Sequence, residues 1–156
     1  EGMRFHRSGG YVTKPTQPCC MAYNAQGQHM SGGAIAQFNS TRFNIGTHYN
    51  TSNGRFTAPV DGAYEFHFAA LHRAMSNAGH GELTFYKNGS NLSYRSFGYS
   101  NIGSGGSIND HQHLHIHAIF NLSAGDYIEV YIHAQTSGMD FYMYQGLGYF
   151  SGKLLG

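Results

Sequence analysis

Short stretches in which apolar and polar residues alternate recur along the whole chain, and Gly, Asn and Asp separate them. Alternation with a period of two is typical of strands that bury one side, whereas a helical period is hard to find. The clearest strands are predicted at 34–43, 54–58, 63–71, 82–87, 91–94, 111–122, 127–134 and 148–155. The pattern therefore predicts an all-β domain built as a sandwich or jelly roll.

Turn signals support these boundaries. Asn53-Gly54 precedes one strand, and Asn88-Gly89 is the dipeptide favoured in two-residue hairpins. Residues 1–16 contain Gly9-Gly10 and Pro15, which interrupt regular structure, so they are predicted to be a lead-in or linker from a longer chain. The domain is expected to span residues 17–156.

The charge content excludes several classes of partner. Only 9 basic and 8 acidic residues occur among 156, or 11% against the ~25% that is usual, and the net charge is +1. Because the basic residues form no stripe, nucleic acid is not expected as a partner. No apolar run approaches the ~20 residues of a membrane helix, so membrane insertion is not expected either.

Signals of catalysis are absent from the sequence. It contains no His-Glu-x-x-His, Gly-x-Ser-x-Gly or nucleotide-binding loop, and Gly146-Leu147-Gly148 lacks the third glycine of a dinucleotide motif. Cys19 and Cys20 open an apolar stretch and are predicted to be buried thiols rather than nucleophiles. The protein is therefore not expected to be an enzyme.

Eight residues match the spacing of a known signature: an aromatic residue, Asn or Asp, an aromatic residue and Phe, followed by Gly-x-Tyr-x-Phe-x-aromatic. They are Phe38, Asn44, Tyr49, Phe56, Gly62, Tyr64, Phe66 and Phe68. Further matches lie at 85–89, 122–126 and 150–155. Over residues 17–156 the chain resembles the globular head of the complement component 1q family, and it is most similar to the versions on phage or bacterial fibres.

The resemblance implies a ten-strand jelly roll, shared with the tumour necrosis factor superfamily, that packs as a homotrimer and binds ligands without catalysis. The eight signature residues are then scaffold and do not identify a ligand. We expect Gly62 to allow a sharp turn after Pro59.

A row of histidines is the most unusual feature. The chain has 11 His, more than its Lys and Arg together, and His111, His113, His115 and His117 alternate with apolar residues. In a strand this pattern places four imidazoles on one side and the apolar row on the core side. The topology implied by the resemblance puts this strand beside 63–71, where His67 also points away from the core, and directs the imidazoles at a three-fold axis.

Two rings of three imidazoles on that axis would supply six nitrogen ligands, which suits a transition metal such as Fe, Ni or Zn. His113 with His115, or His115 with His117, are the candidate rings, and His111 is the less favoured member. The same pattern also fits a metal-free contact between subunits or a solvated polar surface, and the sequence leaves all three open.

Two segments have the Tyr, Ser, Gly and Asn content of adaptable binding surfaces. Their candidate ligand-binding residues are Tyr94, Phe97, Tyr99, Asn101, Asp140, Phe141, Tyr142, Tyr144 and Gln145. The aromatic rings would stack on sugars, and the polar groups would bind hydroxyls. In the family, some of the corresponding tyrosines instead fill subunit interfaces.

The function expected from the sequence is that of a non-catalytic trimeric head, the receptor-binding tip of a phage tail or virion fibre that attaches to a cell-surface glycan or protein. Such a head would be extracellular, on the virion surface. A secreted recognition or lectin-like protein is the alternative, and a structural trimerisation cap is the third.

Overall fold

Strands are the regular elements of this protein. A computed structural model describes residues 4–6, 11–31, 33–74, 81–98, 111–134 and 140–156. No helix within these ranges is long and apolar enough to cross a membrane. The strands, in chain order, are β1 (Arg4–His6), β2 (Tyr11–Thr13), β3 (Cys19–Tyr23), β4 (Gln28–Ser31), β5 (Ala34–Ile35), β6 (Ser40–Ile45), β7 (Tyr49–Asn50), β8 (Arg55–Thr57), β9 (Gly62–Ala74), β10 (Gly81–Lys87), β11 (Ser90–Gly98), β12 (His111–Leu122), β13 (Tyr127–Ala134) and β14 (Asp140–Leu154).

Two antiparallel sheets contain β3 to β14. The first sheet has the order β12-β9-β14-β3-β6, with β4 also paired to β14, and the second has the order β11-β10-β13-β8-β7, with β5 also paired to β13. Non-sequential neighbours in both sheets give the jelly-roll topology, so the predicted all-β jelly roll is confirmed. Additional short strands, among them β4 and β5, make the count in this structure larger than ten.

Aromatic rings fill the space between the sheets. Phe38, Phe56, Tyr64, Phe66 and Phe68 are each at most 1% exposed. The ring centroids of Phe66 and Phe56 lie 5.3 Å apart at 74°, an edge-to-face contact that aromatic rings prefer. These buried contacts agree with the interpretation of the signature aromatics as scaffold.

Asn44 and Tyr49 brace the turn between β6 and β7. The Asn44 Nδ2 donates to the Tyr49 carbonyl at 2.8 Å, and the Tyr49 N–H donates back to Asn44 Oδ1 at 3.1 Å. The Phe38 N–H donates to the Tyr49 hydroxyl at 3.2 Å, and burial raises the Tyr49 pKa. Three signature residues are thus joined in one local network.

Gly62 is required for a reason other than the expected turn. A Cβ at this position would lie 2.7 Å from Leu154 Cδ1 and 3.1 Å from the Gly156 carbonyl oxygen. Its φ is not among the positive values of the chain. Close approach of the C-terminal residues, rather than a left-handed backbone, therefore disfavours a side chain here, because Leu154 would have to shift.

One strand prediction needs correction. The single strand predicted at 34–43 is two strands, because the chain crosses from β5 in the second sheet to β6 in the first. Ala36 and Phe38 stay buried in this crossing, so apolar alternation continues through it and hides the break. The lead-in also contains regular structure, since β1 and β2 pair antiparallel from Arg4↔Thr13 to His6↔Tyr11.

Two predicted turns meet at one end of the sandwich. Asn88 and Gly89 both have positive φ, as a two-residue hairpin requires. Asn88 Nδ2 donates to Asp126 Oδ1 at 2.7 Å, and the Ala124 N–H donates to Asp61 Oδ1 at 2.8 Å. The chain enters the sandwich at this same end, where the Leu154 N–H donates to the Pro18 carbonyl at 3.0 Å.

Candidate functional site

The histidine strand has the orientation that its sequence predicts. β12 pairs with β9 along its whole length, and His113, His115 and His117 are exposed while Leu114 and Ile116 lie in the core. His111 belongs to β12, but its side chain is outside the described part of the structure. The imidazoles therefore lie on the side of the first sheet that faces away from the second sheet.

We call this side the outer face. Strand register aligns its side chains in rows that run from β12 to β6, and one row is Ile119, Glu65, Lys153, Cys19 and Ile45. The next row is His117, His67, Ser151, Met21 and Phe43. With ~4.8 Å between neighbouring strands, the two ends of a row are about 19 Å apart.

An ion-pair cluster occupies part of the outer face. His117 Nε2 lies 2.9 Å from Glu65 Oε1, and Lys153 Nζ lies 2.6 Å from Glu65 Oε2. Hydrogen bonds from Lys153 and His117 lower the Glu65 pKa, and the Glu65 carboxylate raises the Lys153 pKa. The two fixed charges thus compensate each other within one chain.

His67 lies between this cluster and an aromatic ring. It stacks on Tyr149 with centroids 5.2 Å apart, and its ring is 6.0 Å from that of His117. Its Nδ1 is buried without a hydrogen-bond partner among the described residues. Burial, followed by the neighbouring His117, lowers the His67 pKa, which favours a neutral imidazole at physiological pH.

Large apolar side chains stand exposed at both edges of the outer face. Ile119 on β12 is 56% exposed, and Phe43 and Ile45 on β6 are 44% and 40% exposed. Two shallow grooves lie on the face between these edges. One groove of about 560 Å³ is lined by Met21, Phe43, His67 and His117 among others, and another of about 440 Å³ is lined by Leu71, His113 and Leu147 among others.

Phe43 and Ile45 did not emerge from the sequence as surface residues. The sequence does contain a signal for their exposure. Phe43 and Ile45 flank Asn44, which the signature assigns to the scaffold, so alternation directs its two neighbours to the other side of the strand. The incorrect strand 34–43 ended before Ile45 and hid this pattern. The outer face therefore joins predicted histidines to apolar residues that the sequence analysis missed.

Within the described residues of one chain, no three His, Cys, Asp or Glu side chains gather closely enough to hold a metal ion. A thiol nucleophile is not supported either. Burial raises the Cys20 pKa to about 12, and it also raises that of Cys19.

Five of the candidate ligand residues fall on two strands, one in each sheet. Tyr94 and Phe97 belong to β11, and Asp140, Phe141 and Tyr142 belong to β14. Gly81 pairs with both Gly98 and Ala134, so Phe97 lies near that end of the second sheet, whereas Tyr94 lies in the middle of β11. Phe141 pairs with Ala74, where β9 ends in the first sheet. The side chains of these five candidates, and all of Tyr99 and Asn101, are outside the described part of the structure.

Tyr144 and Gln145 lie on a bulge in β14. The register with β9 shifts between Met143 and Gly148, and the Gly146 N–H donates to the Asn24 carbonyl at 2.9 Å. Gln145 is exposed and Tyr144 is half-buried. Tyr144 and Gln145 therefore lie nearer to the end of β9 at Ala74 than to the end at Gly62, where residues 17 and 18 enter the sandwich.

Comparison with known proteins agrees with this architecture. The sequence model of the C1q domain matches residues 21–155. The globular domain of the zebrafish complement 1qA protein is similar with a TM-score of 0.65 and 18% identity, covering 90% of this chain and 98% of the other. The tumour necrosis factor Eiger from S. frugiperda has a TM-score of 0.62 and 11% identity, with 92% and 94% covered. No curated protein sequence matches.

Proposed function

Because the chain belongs to the C1q domain family, whose non-enzymatic recognition modules generally form trimers, we propose that it is a recognition head that closes into a homotrimer through its outer face. The observation that supports this proposal is the exposure of apolar residues at the two edges of this face. A cyclic trimer needs two different patches, one of which contacts the other patch on the next copy. Ile119 at one edge and Phe43 with Ile45 at the other provide them.

The electrostatics of the outer face favour this contact. Interface centres are depleted of charged residues, and Glu65 and Lys153 already neutralise each other at 2.6 Å. Phe43 and Ile45 are neighbours on one side of β6, and adjoining exposed apolar residues mark interaction surfaces more than single ones do. A second copy that covers the grooves would therefore bury apolar surface, and Glu65 and Lys153 would remain paired with each other in the contact.

Sedimentation equilibrium tests the assembly. The expected mass is three times the 17.2 kDa of one chain. Ile119→Lys places a charge in the proposed contact, and Val60→Lys is the matched control, because Val60 is 47% exposed but lies between β8 and β9, away from the outer face. We expect the Ile119 variant to dissociate at concentrations where the Val60 variant stays trimeric. A monomeric wild-type protein would refute the assembly.

The proposed ligand surface is the end of the sandwich that carries the candidate residues. It lies opposite the point where the chain enters, so a shaft that precedes residue 17 would leave this end outermost. We assign the head to the tip of a phage tail or virion fibre, with a host-surface glycan or protein as its receptor. Aromatic rings with neighbouring amides, such as Tyr144 with Gln145, suit sugar rings and their hydroxyls.

A host-cell adsorption assay and a glycan array with the purified trimer test the ligand proposal. We expect Tyr144→Ala and Gln145→Ala to weaken binding, and Thr57→Ala to leave it unchanged, because Thr57 is exposed near the opposite end. A stable trimer that binds neither bacteria nor glycans would indicate a structural cap. Binding restricted to animal-cell glycans would favour a secreted recognition protein.

A further inference from the structure

The outward row of β12 lacks Asp, Glu, Lys and Arg. His113, His115 and His117 are followed on the same side by Ile119 and Asn121, so the row carries no fixed charge. Neighbours on one side of a strand are ~6.6 Å apart along it. β12 is also at one end of the strand order of the first sheet, so its outward row lies at one edge of the outer face.

This inference rests on the proposed trimer, whose axis brings three copies of the same side chain together. A fixed charge beside the axis would face two copies of itself at close range, which is unfavourable. On the outer face, Arg42 lies on β6, at the other edge of the sheet, where its guanidinium is 4.4 Å above the Tyr23 ring. Of the two edges, β12 is therefore the one suited to the axis.

The three histidines have different neighbours in the structure. His117 already contacts Glu65, and its β9 partner in the register is His67. The β9 partners of His115 and His113 are Ala69 and Leu71, which have no polar side-chain group. His113 and His115 are exposed, and their register partners offer no carboxylate that would compete with a metal ion for the imidazoles, whereas His117 is already held by Glu65.

We propose that His113 and His115 from three copies hold one transition-metal ion on the trimer axis, with six imidazole nitrogens as ligands. Each chain supplies two ligands, in keeping with the absence of a three-ligand group within the described residues of one chain. Imidazole selects Zn, Ni, Cu or Fe over Ca and Mg. A six-nitrogen set matches the octahedral preference of Ni(II) and Fe(II), and we expect tighter binding of Ni(II) than of Mn(II).

The test uses tag-free protein, since a histidine tag would bind the same metals. The protein is first stripped of metal with a chelator and then equilibrated with Ni(II) or Zn(II). After unbound metal has been removed, its metal content is measured, and sedimentation equilibrium on the same sample gives its oligomeric state. We expect one ion per three chains in the wild type. His113→Ala and His115→Ala should lose the ion, while His117→Ala, the control on the same strand, should keep it.

The outcomes separate this site from the proposed assembly. A wild-type trimer that retains no metal after reloading would overturn the metal site and leave the trimer intact. One ion per chain, or metal retained by His115→Ala, would likewise overturn it. A wild-type protein that stays monomeric with and without metal would overturn both. Absorption spectra of the Co(II) form give a second readout, because six-coordinate Co(II) absorbs much more weakly than four-coordinate Co(II).

Discussion

The ion pair between Arg55 and Glu129 gives the sharpest prediction about stability. Arg55 Nε donates to Glu129 Oε2 at 2.8 Å, and the side chains are 36% and 3% exposed. The guanidinium also lies 4.3 Å above the Tyr127 ring. Arg55→Met leaves the Glu129 carboxylate buried without this partner.

Breaking a buried pair by removing one partner costs about 3–5 kcal/mol, and we expect about 2–3 kcal/mol here because water reaches the exposed part of Arg55. Loss of the cation–π contact adds about 0.5–1 kcal/mol. The free energy of unfolding should therefore fall by about 3 kcal/mol, a large share of the ~5–15 kcal/mol of a typical domain.

Urea unfolding followed by tyrosine fluorescence measures this effect, since the chain has 12 Tyr and no Trp. Replacing both partners of a buried pair by apolar residues is often close to neutral, so Arg55→Met with Glu129→Met should be more stable than Arg55→Met alone. Lys87→Met is the control, because Asp126 in the Lys87 to Asp126 pair is 16% exposed against 3% for Glu129, so water screens the loss and the variant should be less destabilised than Arg55→Met. Additive losses in the double variant would refute the reasoning.

Three further results are expected. Asp126 accepts hydrogen bonds from Lys87, Asn88 and the Ser123 N–H, which lower its pKa to about 2. The stabilisation from the Asp126 carboxylate is complete above the unfolded pKa of about 4 and is lost as the pH falls toward 2. The difference in urea midpoint between wild type and Asp126→Asn should therefore close over that range, and a difference that stays constant with pH would contradict this. Gly62→Ala should cost about 1–3 kcal/mol by overpacking against Leu154, whereas Gly156→Ala, with nothing within 4 Å of its added Cβ, should be neutral in the same unfolding assay. Because burial raises the Cys20 pKa to about 12, this thiol should react with iodoacetamide at pH 8 only after unfolding, and labelling of the folded protein at the rate of a free thiol would contradict that assignment.

Much of the fold and part of the candidate site could be predicted from the sequence. The period-two pattern identified β9, β12 and β13 because each buries one side, and the same pattern placed the β12 histidines away from the core. Asn88-Gly89 identified its hairpin because both residues take positive φ. The C1q signature residues were recognisable because the core needs large rings at fixed spacings.

Other features depend on contacts that local patterns do not encode. The break between β5 and β6 is invisible to periodicity, since the crossing buries Ala36 and Phe38 as a strand would. The sequence likewise gives no sign that Gly62 faces the C-terminal residues, or that Tyr144 and Gln145 lie on a bulge away from the end where residue 17 enters.

The sequence by itself determined which residues of β12 point outward, because side-chain direction in a strand follows from local backbone geometry. Only the tertiary structure decided what those residues face. Strand register across the first sheet sets His117 beside Glu65 and His67, but sets His115 and His113 beside Ala69 and Leu71. His113, His115 and His117 look equivalent in the sequence but occupy different environments, because those environments are made by side chains more than 40 positions away in the chain.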